Sequence, residues 1–493
     1  NVFWRLSVYA SPVTVTRLKH RINPDPSRVI ARPFIPGGET RIRGILDRVL
    51  RIPETEARAM LTRLQENFRK NHPDLEEILL DHYDNVKEYN PDDKDLTEER
   101  RRLIGAYFTM EYAIEAAALF NPSMVPAFDQ SGLPEGSLRF LMSLRATGEG
   151  HISSIVFRRG VIDRENNIIM EQRSPYNRQL KVKENRTYFK ETYSLKLREM
   201  EGENPLANAV LERLQGEFTF KELCDVIEDV GKTQQYPMAM QETEEDMISL
   251  ARANYQIEIP EHIDVSAAVI FPHSENESRG VEDVRLVRFI EEDGTPVYYG
   301  TYTAFNGFHI LPQMFEVRDA SNLTVHTLTG KYSQNKGMAL FPRKVGGHYV
   351  MSSRIDNENL YIMKSDNVLV WNQADLVQTP QFPWELVQLG NCGSPLETEA
   401  GWLLLTHGVG PMRQYCIGAT LLDLDDPTKV IGQTREPLMV PQGKERSGYV
   451  PNVVYSCGGM IHNDILVIPY AMSDISSSLA IVPLDELLDL LTR

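Results

Sequence analysis

Short apolar or alternating runs, separated by Gly, Asn, Asp and Pro, occupy most of the chain. The runs at 138–144, 153–157, 267–271, 284–289, 297–304, 348–352, 360–363, 401–406, 416–422, 453–456 and 465–469 have the period and punctuation of β-strands. Many short strands at near-even spacing fit a barrel, a sandwich or a propeller. Two regions follow a different rhythm. In the first, about 39–119, segments 55–71 and 97–119 read as helices. Thr97 followed by Glu98 and Glu99 is a helix start with acids near the positive end of the dipole. Leu103, Tyr107, Met110, Ile114 and Ala118 then recur at three- and four-residue steps, with Pro122 as the expected stop. The second region, about 205–255, has its clearest helices at 220–230 and 244–255, preceded by a charged stretch at 163–203 that suits a hairpin or long strands.

This pattern divides the chain into an N-terminal segment (1–38), a helical extension (39–119), an all-β body (120–162 and 263–493) and a largely helical insertion (163–262). A chain of 493 residues has ample length for a large core. Its 52 Lys and Arg against 69 Asp and Glu leave a formal charge of −17, which argues against binding nucleic acid or an anionic membrane. It does not argue against a local pocket for one small anion. The four cysteines, Cys224, Cys392, Cys416 and Cys457, lack zinc-ligand spacing and fit free thiols in a reducing cytoplasm. No apolar run approaches the ~18 residues of a spanning helix, and residues 1–10 lack the long apolar core of a signal peptide. A cytoplasmic location is therefore expected.

Nucleophile elbows, P-loops and metalloprotease motifs are missing. The chemistry-bearing residues stand instead at strand ends. Arg279-Gly280-Val281-Glu282-Asp283-Val284-Arg285 is the densest group. Strand alternation sends its two carboxylates to opposite faces, so that one enters a given pocket, with Arg279 and Arg285 holding one ionised; an exposed charged turn is the plainer alternative. Lys336, Arg343, Lys344 and Arg354 reverse the prevailing sign and suit an anion pocket; a solvated hairpin tip accounts for Arg343 and Lys344. His407, Asp474, Arg145 and the Asn121-Pro122 turn complete the set.

These segments, taken in order, resemble glycoside hydrolase family 130, the β-mannoside phosphorylases and β-mannosidases. The likeness rests on Phe120-Asn121-Pro122, Leu144-Arg145-Ala146, Gly280-Val281-Glu282-Asp283-Val284-Arg285, Ala339-Leu340-Phe341-Pro342, the 401–409 stretch with His407-Gly408-Val409, Asp423–Pro427 and Val450-Pro451-Asn452. It covers about 120–160 and 267–490. The resemblance implies a mainly β fold, a five-bladed β-propeller carrying the N-terminal helical extension and the helical insertion. It also implies inverting chemistry on a β-linked mannosyl unit, with Asp283 as the acid that passes its proton through a sugar hydroxyl. Asn121, Arg145 and Asp474 match sugar-binding positions, and Lys336, Arg354, His407 and Tyr415 match phosphate-binding positions. No metal or other cofactor is implied; inorganic phosphate is the co-substrate of a phosphorylase.

Two departures stand out. The family's Glu-Asp-Pro-Arg reads Glu-Asp-Val-Arg, and Gln388 replaces a phosphate-binding lysine. Charge-assisted bonds contribute about 1.5–3 kcal/mol each, so one lost cation weakens an anion site without abolishing it. Hydrolysis instead requires a carboxylate base, for which Glu358, Glu385 and Glu445 are the candidates. The expected activity is an inverting phosphorylase releasing α-mannose 1-phosphate from β-mannooligosaccharides. The alternatives are a β-mannosidase and a non-catalytic mannoside-binding propeller. The helical parts are expected to cover the sides of the β-body, extend the pocket rim or form a homo-oligomer interface.

Overall fold

A computed structural model describes residues 11, 13–90, 93–183, 186–201, 204–233, 240–319 and 321–493. The signal-peptide reading of 1–10 lies outside the described residues. The protein is mainly β. Among the described residues its strands follow one another in antiparallel meanders that fall into five groups, the first two joined in one twelve-stranded sheet. The first comprises Ala118–Pro126, Leu138–Thr147 and Ser153–Ile162, with Ala268–Ile270 added after a long excursion. The second, Gly280–Ile290, Pro296–Phe305, Ile310–Asp319 and Asn322–Thr327, is joined to the first where Gly280 pairs in parallel with Ser153. The third runs Ala339–Leu340, Tyr349–Ser353, Leu360–Ser365 and Gln373–Gln378; the fourth runs Gln388–Asn391, Gly401–Val409, Tyr415–Leu422 and Val430–Gln433. The fifth takes Val454–Tyr455, Ile465–Met472 and Ser476–Pro483 from the end of the chain. Its outer strand, Thr16–Ile22, comes from the beginning.

The middle strands are buried on both faces, which is why they read as continuous apolar runs rather than alternating ones; Gly401–Val409 and Ile465–Met472 are buried throughout. Successive sheets share apolar clusters. Phe289 and Tyr299 of the second meander pack with Met351 and Met363 of the third, and Phe341 and Ile362 of the third with Trp402 and Leu404 of the fourth. Leu405 and Ile417 meet Ile468 and Val482 of the fifth, and Val467 and Leu479 of the fifth meet Phe140 and Met142 of the first.

The N-terminal helices Glu39–Leu50, Glu54–Phe68, Leu75–Asp84 and Glu98–Tyr107 close around Leu46, Tyr83, Leu103 and Phe108. The Thr97 side chain caps the last of them by accepting from the Arg100 N–H. The expected helix 97–119 is corrected. It stops at Tyr107, and Thr109–Ala113 forms a strand paired with Val29–Pro33, a partner distant in sequence that the local stripe does not reveal. Pro122, expected as a helix stop, lies within a strand at a register shift between Phe120 and Ser123, a place where its missing N–H costs no ladder bond.

The stretch expected as a hairpin or long strands holds only short strands and then a helix, Lys190–Glu201. Its charged outer face hides the buried Tyr193 and Leu197. With Pro205–Arg213, Phe220–Thr233 and Met240–Arg252 it forms a separate apolar cluster. The four cysteines are free thiols, three of them buried. Among the described residues no helix is long and apolar enough to cross a membrane.

Candidate active site

Strands and turns of the successive meanders bring the strand-end polar residues together, beginning with a bulge. In Gly280–Ile290 the register with Pro296–Phe305 shifts between Glu282 and Arg285, and Asp283 adopts a left-handed φ of 55°. Strand alternation is broken there. The expectation that the two carboxylates part company is therefore corrected, because one guanidinium reaches both. Arg145 donates from Nη2 to Glu282 at 2.7 Å and from Nη1 to Asp283 at 3.3 Å, and its Nε is held by Ser153 Oγ at 2.9 Å. Lys336 Nζ reaches the second Glu282 oxygen at 2.6 Å. Arg279 is exposed; the carboxylates are held by Arg145 and Lys336 in its stead.

Asn121 donates to Asp283 at 2.6 Å from a second bulge. Asn121 (φ 49°) and Asp474 (φ 53°) repeat the left-handed backbone of Asp283. Asn and Asp tolerate this region better than other side chains. Three such residues in one site are strain held in place by the surrounding sheets. Burial pushes the Asp283 carboxyl up, but Arg145, Lys336 and Asn121 outweigh it and hold the group below the usual aspartate range. Asp474 goes the other way. Burial and the negative charge of Asp283 push it up to about 6, against the pull of Arg145 and Arg413.

A second group faces this one. Arg354 donates from Nη1 to Nε2 of His407 at 2.9 Å, while Nδ1 of His407 meets the Asn391 main-chain oxygen at 3.0 Å. A guanidinium only donates, so Nε2 accepts and Nδ1 carries the proton. Burial and then the charges of Arg354 and Arg285 hold the ring far below the usual imidazole pKa. His407, expected at a phosphate-binding position, is thus a neutral acceptor and adds no positive charge to it. Tyr415 stacks on it at 6.0 Å and Tyr455 meets it edge-on at 5.0 Å. Gln388, at the lysine position, puts its amide nitrogen 3.3 Å from the same Nε2.

Arg285 joins the two groups. It donates to the Asp283 main-chain oxygen at 3.2 Å, to Tyr455 Oη at 2.8 Å and to Asn391 Oδ1 at 3.1 Å. Asn391 in turn donates to the Gly337 oxygen at 2.5 Å, beside Lys336. Thus Asn121, Arg145, Asp283 and Lys336 lie in one hydrogen-bonded set and Arg354 and His407 in the other, with Tyr415 stacked on His407; Asp474 joins through its charge. Sequence reasoning missed Ser153, Tyr455 and Asn391, whose roles depend on cross-sheet neighbours. Arg343 and Lys344 lie outside the site, paired with Glu397 and Glu292.

Two of the three candidate bases are committed elsewhere. Glu385 accepts from the Gln381 and Phe382 N–H groups, and Glu445 from Arg17, Tyr470 and the Gln442 N–H. Glu358 is exposed, and its main-chain oxygen accepts from Leu389. No cluster of three or more His, Cys, Asp or Glu suited to a metal occurs among the described residues.

The sequence matches, over residues 233–493, the model of glycoside hydrolase family 130 described as beta-1,4-mannooligosaccharide phosphorylase. It is 34% identical over 223 residues to a 1,2-beta-oligomannan phosphorylase of Thermoanaerobacter sp. (strain X514), covering 44% of this chain and 73% of that protein. It is also 34% identical over 213 residues to a beta-1,2-mannobiose phosphorylase of the same organism, covering 42% and 68%. Among solved structures, the beta-1,2-mannobiose phosphorylase of Listeria innocua in complex with beta-1,2-mannobiose aligns at 19% identity with a TM-score of 0.44, covering 76% of this chain and 92% of that one.

Proposed function

Because the chain belongs to glycoside hydrolase family 130, we propose that it is an inverting phosphorylase that cleaves β-linked mannosides and releases α-mannose 1-phosphate. The observation that carries this reading is Arg354. It is a largely buried cation whose side chain meets a neutral imidazole, and its Nε is buried without a hydrogen-bond partner. An unneutralised guanidinium with a spare donor, facing a bound carboxylate across one site, suits an anionic nucleophile. The five meanders, with apolar clusters between neighbours and again between last and first, support the five-bladed propeller.

In this reading Arg354 and Lys336 hold phosphate, with His407 orienting Arg354 and Tyr415 backing the ring. Asn121, Arg145 and Asp474 hold the mannosyl unit to be transferred. A phosphate oxygen attacks C1 on the face opposite the leaving oxygen, forming the α C–O bond as the β-glycosidic bond breaks. The leaving oxygen takes its proton from Asp283 through a sugar hydroxyl. Asp283 is ionised in the free site. Sugar hydroxyls that displace Asn121 or Arg145 from it remove what stabilises the charge, and burial then raises its pKa toward that of an acid. Phosphate needs no base, consistent with Glu385 and Glu445 being engaged elsewhere.

Incubation with β-1,2- and β-1,4-mannooligosaccharides plus phosphate is expected to yield α-mannose 1-phosphate. Free mannose as the sole product would support the hydrolase, for which the loss of a cation at Gln388 is the favouring feature. Binding without turnover would support a non-catalytic propeller.

A further inference from the structure

A cleft of about 800 Å³, lined by none of the Asp283-site residues, lies where the helical insertion meets the β-body. Its walls are the strands Val182–Lys183 and Thr187–Phe189, the start of helix Phe220–Thr233, the end of helix Met240–Arg252 and the loop at 273–275. Its size falls within the range of about 300–1,000 Å³ typical of small-molecule sites. Among the described residues four cations line it, Lys183, Arg186, Lys221 and Arg252, against one carboxylate, Glu275. In a chain of net charge −17 this is a second reversal of sign.

Lys183, Arg186 and Arg252 are only weakly neutralised among the described residues. Arg186 donates to the Val325 and Tyr255 main-chain oxygens at 2.6 and 3.3 Å, and Lys183 to the Asn322 side-chain oxygen at 2.6 Å, all neutral acceptors. The nearest influence on Arg186 from a carboxylate is Glu316, which is shared with His326 and Arg318. Arg252 meets Glu275 at 3.4 Å with both side chains at least half exposed, a pair worth at most about 1 kcal/mol. The floor is aromatic. Phe220 lies 5.7 Å under the Arg252 guanidinium, Tyr188 5.8 Å from that of Arg186, and His273 packs on Tyr255 at 4.9 Å.

Cations at the rim and rings on the floor select a ligand with an anionic head and a ring that stacks. We propose that this cleft is a second binding site, distinct from the Asp283 site, for an organic phosphate, that is, a phosphate ester carrying a ring. Lys183 and Arg252 take the phosphate, and Phe220 takes the ring. Two sources share this chemistry, a nucleotide and a hexose phosphate.

Calorimetric titration of ADP and of mannose 1-phosphate tests the proposal on three forms of the full chain. These are the unaltered protein, Arg354→Ala to remove the anion clamp of the other site, and the double variant Lys183→Ala/Arg252→Ala, which alters exposed side chains only. At least one ligand is expected to bind the unaltered protein and Arg354→Ala alike. Its affinity should fall at least about tenfold in the double variant, the equivalent of one charge-assisted contact. Unfolding temperature and mannoside turnover in the double variant should stay unchanged. The ligand that binds more tightly identifies the source. Failure of both ligands to bind Arg354→Ala, or equal binding by the double variant, would overturn the proposal.

Discussion

The Arg354 guanidinium donates to Nε2 of His407 at 2.9 Å, so the imidazole serves as an acceptor and not as a charge. Replacing His407 with Lys therefore adds a cation and removes the acceptor that aims Arg354. The expected result is a rise in the KM for phosphate of roughly 10–100-fold, matching the loss of one charge-assisted bond. An unchanged or lower KM would mean that charge alone matters at this position. In the unaltered protein, the His407 ring followed by NMR should stay neutral under conditions where an ordinary exposed imidazole takes up a proton, because burial and the charges of Arg354 and Arg285 hold its pKa well down.

Asp283 sits between Asn121 and Arg145 on a bulge whose backbone Arg285 also holds. Asp283→Asn keeps the shape of the side chain and removes the acid. The rate should fall by about 10²–10⁴-fold, the usual contribution of a general acid, while the unfolding temperature stays near that of the parent. A variant retaining full rate would exclude Asp283 as the proton donor.

Asp474 is pushed up to about 6 in the folded protein from an ordinary 3.8. The folded state thus binds this proton more tightly than the unfolded chain. The stability it brings is fully present below 3.8 and is lost as pH rises through 6. Asp474→Asn should therefore be more stable than the parent at pH 8, with the difference fading below about pH 4. The variant should also lose any inflection near pH 6 in kcat/KM. Thermal unfolding across pH 4–8 checks the first point and rate profiles the second.

Asn391 ties Arg285 to the loop of Lys336 while its main chain fixes His407. Asn391→Ala removes the acceptor of the Arg285 Nε–H and the donor to the Gly337 carbonyl, at about 1–3 kcal/mol for each buried group. It should lower stability and affect kcat and the phosphate KM together. Asn391→Asp keeps the acceptor for Arg285, loses the donor to Gly337 and adds a carboxylate beside the proposed phosphate cations. Its effect should fall mainly on the phosphate KM, measured in the same assay.

The inner strands were legible because burial on both faces makes them continuous apolar runs, as in Gly401–Val409. The members of the site were legible as polar residues at strand ends. Their geometry was not. Left-handed backbone at Asn121, Asp283 and Asp474 leaves no trace in alternation, and the bulge that unites Glu282 with Asp283 is set by a neighbouring strand. The protonation of His407 follows from Arg354, 53 residues away. Long-range pairing also explains the strand Thr109–Ala113 inside an apparent helix, since its partner Val29–Pro33 lies far upstream.

The most direct test is the initial rate of β-mannooligosaccharide cleavage as inorganic phosphate is varied from zero to saturation, with products resolved by ³¹P NMR. For a phosphorylase the rate vanishes without phosphate and saturates with it, and one α-mannose 1-phosphate is released per bond cleaved. A rate independent of phosphate, with mannose released in its place, would contradict the phosphorylase reading.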